Sequence, residues 1–270
     1  MASIVLIWLA APFWSYQIDD VYISARFAQE WAESGAIRWS DSEVIEGYSN
    51  FAWVAMMAAG TLLHLDLGLW TQLVSLSCGL AVLGLLSHVL PDDRGGSALL
   101  AAITLWVPVS YWSAMGMETT FFTLVATTAY ALCLRDRYTA GCWLAALAAL
   151  TRPEGAVWWL ICVATRRDSL ATGLSSGIPV AIYHLWRLWY FGSLIPAPVS
   201  QKAHLSEFAL LELAAGAITA SGIVFLASRS LVTARRNMPW IVAPTALSVM
   251  LIIAVGGDWM AYGRLLLAGV

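Results

Sequence analysis

Apolar residues come in long runs separated by short polar breaks, at about 3–17, 51–65, 67–90, 97–114, 119–134, 139–151, 155–165, 172–191, 208–228 and 239–256. A helix needs about 20 apolar residues to cross a bilayer core, and several of these runs approach that length. The pattern predicts an all-α chain, a polytopic bundle crossing a membrane about nine times. The first run has no basic stretch before it and many runs after it, so it predicts an uncleaved first span. No soluble domain, low-complexity tract or fixed-period repeat interrupts the series. The stretch 18–48 is different. Asp19 or Asp20 predicts a helix start there, with Ser24, Phe27, Ala28 and Trp31 on one face and Arg26, Gln29, Glu30 and Glu33 on the other. Such a helix lies along a membrane surface.

Composition agrees with the pattern. Apolar residues make up 60% of the chain and charged residues 11%, at a mean hydropathy of +0.74; soluble domains run at roughly 45–50% and 25%. Too few charges are present to cover a soluble surface, so the lipid bilayer is the expected partner. The 15 tryptophans fit membrane–water interfaces. A net charge of −3 offers no basic face, so nucleic acid is not an expected partner. Cys78, Cys133, Cys142 and Cys162 all lie in apolar runs without metal-site spacing, and read as small buried residues.

Charge sorting gives an orientation. Arginines gather in short breaks at Arg94, Arg135/Arg137, Arg166/Arg167 and Arg229/Arg235/Arg236, which the positive-inside rule assigns to the cytoplasm. These breaks hold 8 of the 14 basic residues, while the other segments hold 13 of the 17 acidic ones. With 18–48 outside and Arg94 inside, only one span fits between them. The longer run, 67–90, takes that place; the alternative is two spans and a different assignment further on. Residues 51–65 then form an interfacial or re-entrant helix, and 18–66 is one first outer loop.

The remaining polar residues collect on that outer side. They are Asp19 and Asp20, Glu46, Tyr48 and Asn50 in EGYSN, Glu118 in GMETT, Arg152 and Glu154 in TRPEG, Lys202 and His204, and Asp258 and Arg264 in GGDWMAYGR. Ionisable groups at membrane depth are costly and usually functional, so the set predicts a shared cavity. An acidic pair at a helix start suits a general base, because the dipole favours the ionised form. One aspartate can face a cavity while its neighbour, about 100° around the helix, binds something else. Arg152 can clamp a phosphate in bidentate fashion, with Lys202 and Arg264 adding charge. The competing reading is an ion pair of Arg152 with Glu154. Acidic residues can hold Mg²⁺ or Mn²⁺ through oxygen, although no spacing demands a metal. No Walker loop, GxGxxG, HExxH or GxSxG motif occurs, and Gly95 and Gly96 read as part of a turn. His64, His88, His184 and His204 are scattered and read as polar interface residues.

DDVYISARFAQEWAESGAIRWS followed by EVIEGYSNFAW resembles the first outer loop of GT-C-fold glycosyltransferases, closest to the bacterial branch of terminal arabinofuranosyltransferases. GMETTFF, LTRPEGA, WYFGSLIPAPVSQKAH and GGDWMAYGRLL match in the same order, so the resemblance runs from residue 19 to about residue 267. It implies two juxtamembrane helices in the first outer loop and a polyprenyl-phosphate sugar as donor. The acceptor is then a glycan, lipid or protein hydroxyl on the outer face of the cell membrane. The resemblance implies Asp19 or Asp20 as catalytic base. Arg26, Glu46, Tyr48, Asn50, Glu118, Arg152, Glu154, Lys202, Asp258 and Arg264 are the candidate substrate-binding residues. Such enzymes continue with more spans and often a soluble outer domain, so the expectation for 1–270 is a single transmembrane module without that domain. The fourth of these five motifs contains IPAPVSQKAH, keeping the lysine but lacking an asparagine and a tyrosine usual there.

The leading expectation is therefore an inverting sugar transferase. A transporter or flippase of a lipid-linked glycan is the first alternative, and a noncatalytic relative the second. A transporter favours charges deep within spans and repeated broken helices; here the acids sit at span ends.

Overall fold

The computed structural model describes residues 1–40, 44–164, 170–194 and 196–198. Its order is α1 (Ala2–Ala10), a 3-10 turn (Ala11–Phe13), α2 (Asp19–Ser34), α3 (Phe51–Leu62), α4 (Leu67–Val89), α5 (Arg94–Leu105), α6 (Val107–Ala114), α7 (Thr119–Leu134), α8 (Tyr138–Thr151), α9 (Gly155–Ala164), α10 (Leu170–Ser175) and α11 (Ile178–Phe191). Among the described residues the chain is all-α, without a strand. The expected runs 208–228 and 239–256 lie outside them. With 23 residues, α4 is the one described helix long and apolar enough to cross a membrane alone. The pair α5 and α6 is long and apolar enough when taken together, bent by 51° as a broken span or a re-entrant loop. The other apolar helices are shorter, so length and composition support fewer crossings here than the nine expected.

Local chemistry explains where the helices start and stop. The Asp66 carboxylate accepts from Leu69 N–H at 2.8 Å and caps α4. Pro91, just past its end, favours extended backbone before it. Asp93 caps α5 by accepting from Gly96 N–H at 2.7 Å, so Gly95 and Gly96 belong to a helical first turn. The run 97–114 breaks at Trp106 because Pro108 lacks an N–H and crowds the carbonyl one turn back. The run 172–191 likewise splits, with Pro179 in the first turn of α11. The expected cap of α2 is corrected. Ile18 occupies that position in extended backbone, and Asp19 and Asp20 are its first helical residues. There they still meet the positive end of the helix dipole.

Packing gathers these helices around a core centred on the fully buried Trp53 and Trp112. Helix α2 lies on α3, which also meets α4 and α8; α7 packs on α4 and α8, and α8 on α9. On α2 the buried face is Val21, Ser24, Ala25, Phe27 and Ala28, while Arg26, Gln29 and Glu33 are exposed. The amphipathic reading of that helix holds, and its buried face packs on α3. The four cysteines are free and buried, in line with their apolar surroundings.

The bundle has two distinct ends. Ser75 donates to Met117 O and Thr120 donates to Ser75 O, both at 2.8 Å, near the start of α7. At its far end Arg135 donates to His88 O at 3.4 Å. Helices α4 and α7 therefore run side by side in one direction. Glu118 stands at one end; Arg94, Arg135 and Arg137 stand at the other.

Candidate functional site

Two glycines shape the end that carries Glu118. Gly116 has φ +71°, in the left-handed region, and a Cβ there would lie 2.7 Å from Thr71 Oγ1. It allows the tight reversal from α6 to α7. A Cβ on Gly155 would lie 2.1 Å from Ala148 O, so α9 returns against the α8 backbone only with glycine there. Arg152, the residue before Pro153, is extended at φ −151° and ψ 147°, which ends α8.

These turns bring three distant motifs together. Glu118 is 3% exposed; Oε1 accepts from Arg152 Nη1 at 2.7 Å and Oε2 from Asn50 Nδ2 at 3.0 Å. Arg152 Nε also donates to Glu154, and its guanidinium lies 5.9 Å from the Phe122 ring centre. The Asn50 amide reaches Ser24 Oγ at 3.1 Å. Asn50 occupies the N-cap position of α3 yet makes no capping bond. Its side chain is spent on Glu118 and Ser24, although asparagine is among the best caps.

A cavity of about 420 Å³ opens over this network. Asp20 and Ser24 of α2 line it, with Trp39, Tyr48, Ser49, Asn50, Met117, Glu118 and Pro198. Hydroxyl, amide and carboxylate groups thus share a wall with an indole and a phenol ring. Asp19 is exposed and is not part of this lining; its carboxylate accepts from Asp20 N–H at 3.0 Å.

The other end of EGYSN is pinned elsewhere. Glu46 is 4% exposed and accepts from Arg187 Nε at 2.7 Å and from the Tyr183 hydroxyl at 3.3 Å, both on α11. Burial pushes the Glu46 carboxyl above its usual range, and Arg187 and Tyr183 only partly pull it back. The Tyr48 ring lies between Phe27 and Phe191, with centroids at 5.1 and 6.3 Å, and burial raises its phenol as well. Arg187 Nη1 lies 3.3 Å from His184 Nδ1. Its buried Nη2 has no hydrogen-bond partner among the described residues.

Beyond α11's contact with the loop lies a second space, an aromatic groove of about 610 Å³. Trp31 and Ile37, Phe51, and Tyr183, Trp186, Trp189 and Tyr190 line it. Phe51 stacks on Tyr183 with centroids 4.3 Å apart. Consecutive residues therefore face different spaces: Asn50 lines the polar cavity and Phe51 the groove.

Of the sequence-predicted residues, Asp20, Tyr48, Asn50 and Glu118 meet on one cavity. Glu46 anchors the loop that carries two of them, and Arg152 and Glu154 stand behind Glu118. The Arg152–Glu154 pair, one of the two readings open from sequence, is present, and Arg152 is held by Glu118 as well. Arg26 lies apart, donating to Trp39 O at 3.2 Å and pairing with Glu30 at 3.4 Å. Lys202, His204, Asp258 and Arg264 lie outside the described residues. Sequence reasoning missed Arg187. The available signal was a lone arginine inside the apolar run 172–191, costly unless paired.

Among the described residues Asp20 and Glu118 are the carboxylates on the cavity, and both Glu118 oxygens accept hydrogen bonds. Among the described residues no group of three potential ligands converges. No family model, curated protein or solved structure matches the chain.

Proposed function

We propose that the chain is a membrane-embedded glycosyltransferase module with a GT-C-like bundle of about nine spans. It moves a sugar from a polyprenyl-phosphate donor to an acceptor hydroxyl on the outer face. The observation that carries this reading is the sharing of walls by two unlike spaces. Helix α2 and the segment after it line the polar cavity with Asp20 and Ser24 and the aromatic groove with Trp31 and Ile37. A polar, hydroxyl-rich head and a long apolar tail on one molecule fit such a pair, and a lipid-linked sugar is that molecule. The sorting of Arg94, Arg135 and Arg137 to the opposite end supports an outer placement of the cavity.

Asp20 is the proposed base. It takes the proton of the acceptor hydroxyl, whose oxygen attacks the anomeric carbon opposite the phosphate. The bond between that carbon and the phosphate oxygen breaks, and its electron pair leaves with the lipid phosphate, inverting the centre. Asn50, Glu118 and Arg152 hold the cavity wall in place. Lys202 and Arg264 remain proposed phosphate contacts from the sequence.

The test uses the full chain in membranes with a polyprenyl-phosphate sugar donor. Asp20→Asn loses about 10²–10⁴-fold in turnover, the range of general base catalysis, while Asp19→Asn keeps most of it. Full turnover by well-folded Asp20→Asn sinks the assignment. Movement of the donor across the bilayer without sugar transfer points instead to a flippase.

A further inference from the structure

We propose that Arg187 is a phosphate-binding residue, exchanging its bond to Glu46 for the phosphate that joins head and tail of an amphiphilic ligand. This rests on the reading above, because it supplies the phosphate contact for the same substrate.

Position is the first argument. Tyr183, one turn before Arg187, lines the aromatic groove, as does Trp186 beside it. Glu46, which Arg187 bonds, lies between Ile45 and Gly47 of the polar cavity lining. Arg187 thus stands in the wall between the space suited to a sugar and the space suited to a tail. A phosphate linking the two would meet that wall.

Bonding capacity is the second. The guanidinium carries five donors. Arg152 spends two of its nitrogens on carboxylates, Glu118 and Glu154. Among the described residues Arg187 has one carboxylate, on Nε, a contact with His184 on Nη1, and a buried Nη2 without a partner. A buried donor left unmade is costly. A phosphate joining two groups still presents two non-bridging oxygens and satisfies a guanidinium edge in bidentate fashion, so exchange repays what the resting state leaves unmade. Tyr183 keeps a hydroxyl beside the displaced Glu46.

The experiment measures tryptophan fluorescence of the full chain in nanodiscs, titrated with farnesyl phosphate, with farnesol lacking the phosphate, and with inorganic phosphate lacking the tail. Trp31, Trp186 and Trp189 in the groove report occupancy. Wild-type protein binds farnesyl phosphate about ten-fold more tightly than farnesol, the worth of one charge-assisted contact. Preference for inorganic phosphate over farnesyl phosphate would mark an unlinked anion site and overturn the proposal. The neutral double variant Glu46→Gln/Arg187→Gln, which leaves no buried charge unpaired, loses the preference over farnesol. Glu46→Gln alone increases it, because the competing carboxylate is gone. A brace without a ligand role gives the opposite sign, weaker binding in Glu46→Gln, and that result overturns the proposal. A double variant that keeps the ten-fold preference also overturns it while leaving the sugar-transfer reading intact. Should the double variant aggregate, the sign of Glu46→Gln decides. Wild-type protein with no preference removes the lipid-phosphate reading and this one together.

Discussion

The segment EGYSN is held at both ends by a buried arginine and a carboxylate at 2.7 Å, and the two anchors differ in how fully they are bonded. At the Asn50 end, Glu118 is matched on both oxygens and Arg152 is shared with Glu154. At the Glu46 end, among the described residues, Arg187 meets a single carboxylate and leaves Nη2 without a partner, and burial raises the Glu46 pKa. One end is a closed network; the other has donors to spare. Buried ion pairs seldom add much net stability, but breaking one leaves an uncompensated charge. The difference separates a brace from the contact proposed to change partners.

The comparison can be broken by truncation. Arg152→Ala strands Glu118 beneath the cavity and costs about 3–5 kcal/mol, read as a fall in melting temperature in detergent or nanodiscs. A loss under about 1 kcal/mol, the worth of an exposed pair, refutes the closed-network description. Arg187→Ala has a smaller effect, about 2–3 kcal/mol at neutral pH, because Glu46 can accept a proton instead of staying charged. That loss shrinks as pH falls. In the wild-type chain Glu46's raised pKa gives stability fully present below the ordinary carboxylate range and lost as pH rises through its own value. Glu30 on α2 has the opposite sign. The hydrogen bond from Arg38 holds it low, so its contribution is lost as pH falls through its lowered pKa. Melting curves of both Arg→Ala variants across pH 5 to 8 separate the two ends: the Arg187→Ala loss varies with pH more than the Arg152→Ala loss. The smallest effect is Tyr183→Phe, which deletes one 3.3 Å bond to Glu46 and costs about 0.5–1.5 kcal/mol.

Much of this end was legible in the sequence. Thr119 and Leu134 bound both the apolar run and α7, and the motifs holding Asp20, Asn50 and Glu118 converge on one cavity. Each carries polar residues at a break between apolar runs, where a helix end places them together. What stayed hidden depends on pairing across the chain. Arg187 and Glu46 are 141 residues apart, and no local pattern couples them. The aromatic groove draws one residue each from α2, α3 and α8 and the rest of its helical lining from α11, so no window of sequence contains it. The two bends, at Trp106 and before α11, were readable from Pro108 and Pro179, but hydropathy alone passes through both.

The step from Asn50 to Phe51 has a consequence for size selection. Cα atoms on either side of one peptide are about 3.8 Å apart, so the change from a wet, hydrogen-bonding lining to a greasy one happens within that distance. The protein behaves as a ruler with a single graduation. A ligand whose head and tail are joined by one small group can satisfy both linings at once. One with a long spacer has to leave either its polar head or its apolar tail against the wrong lining.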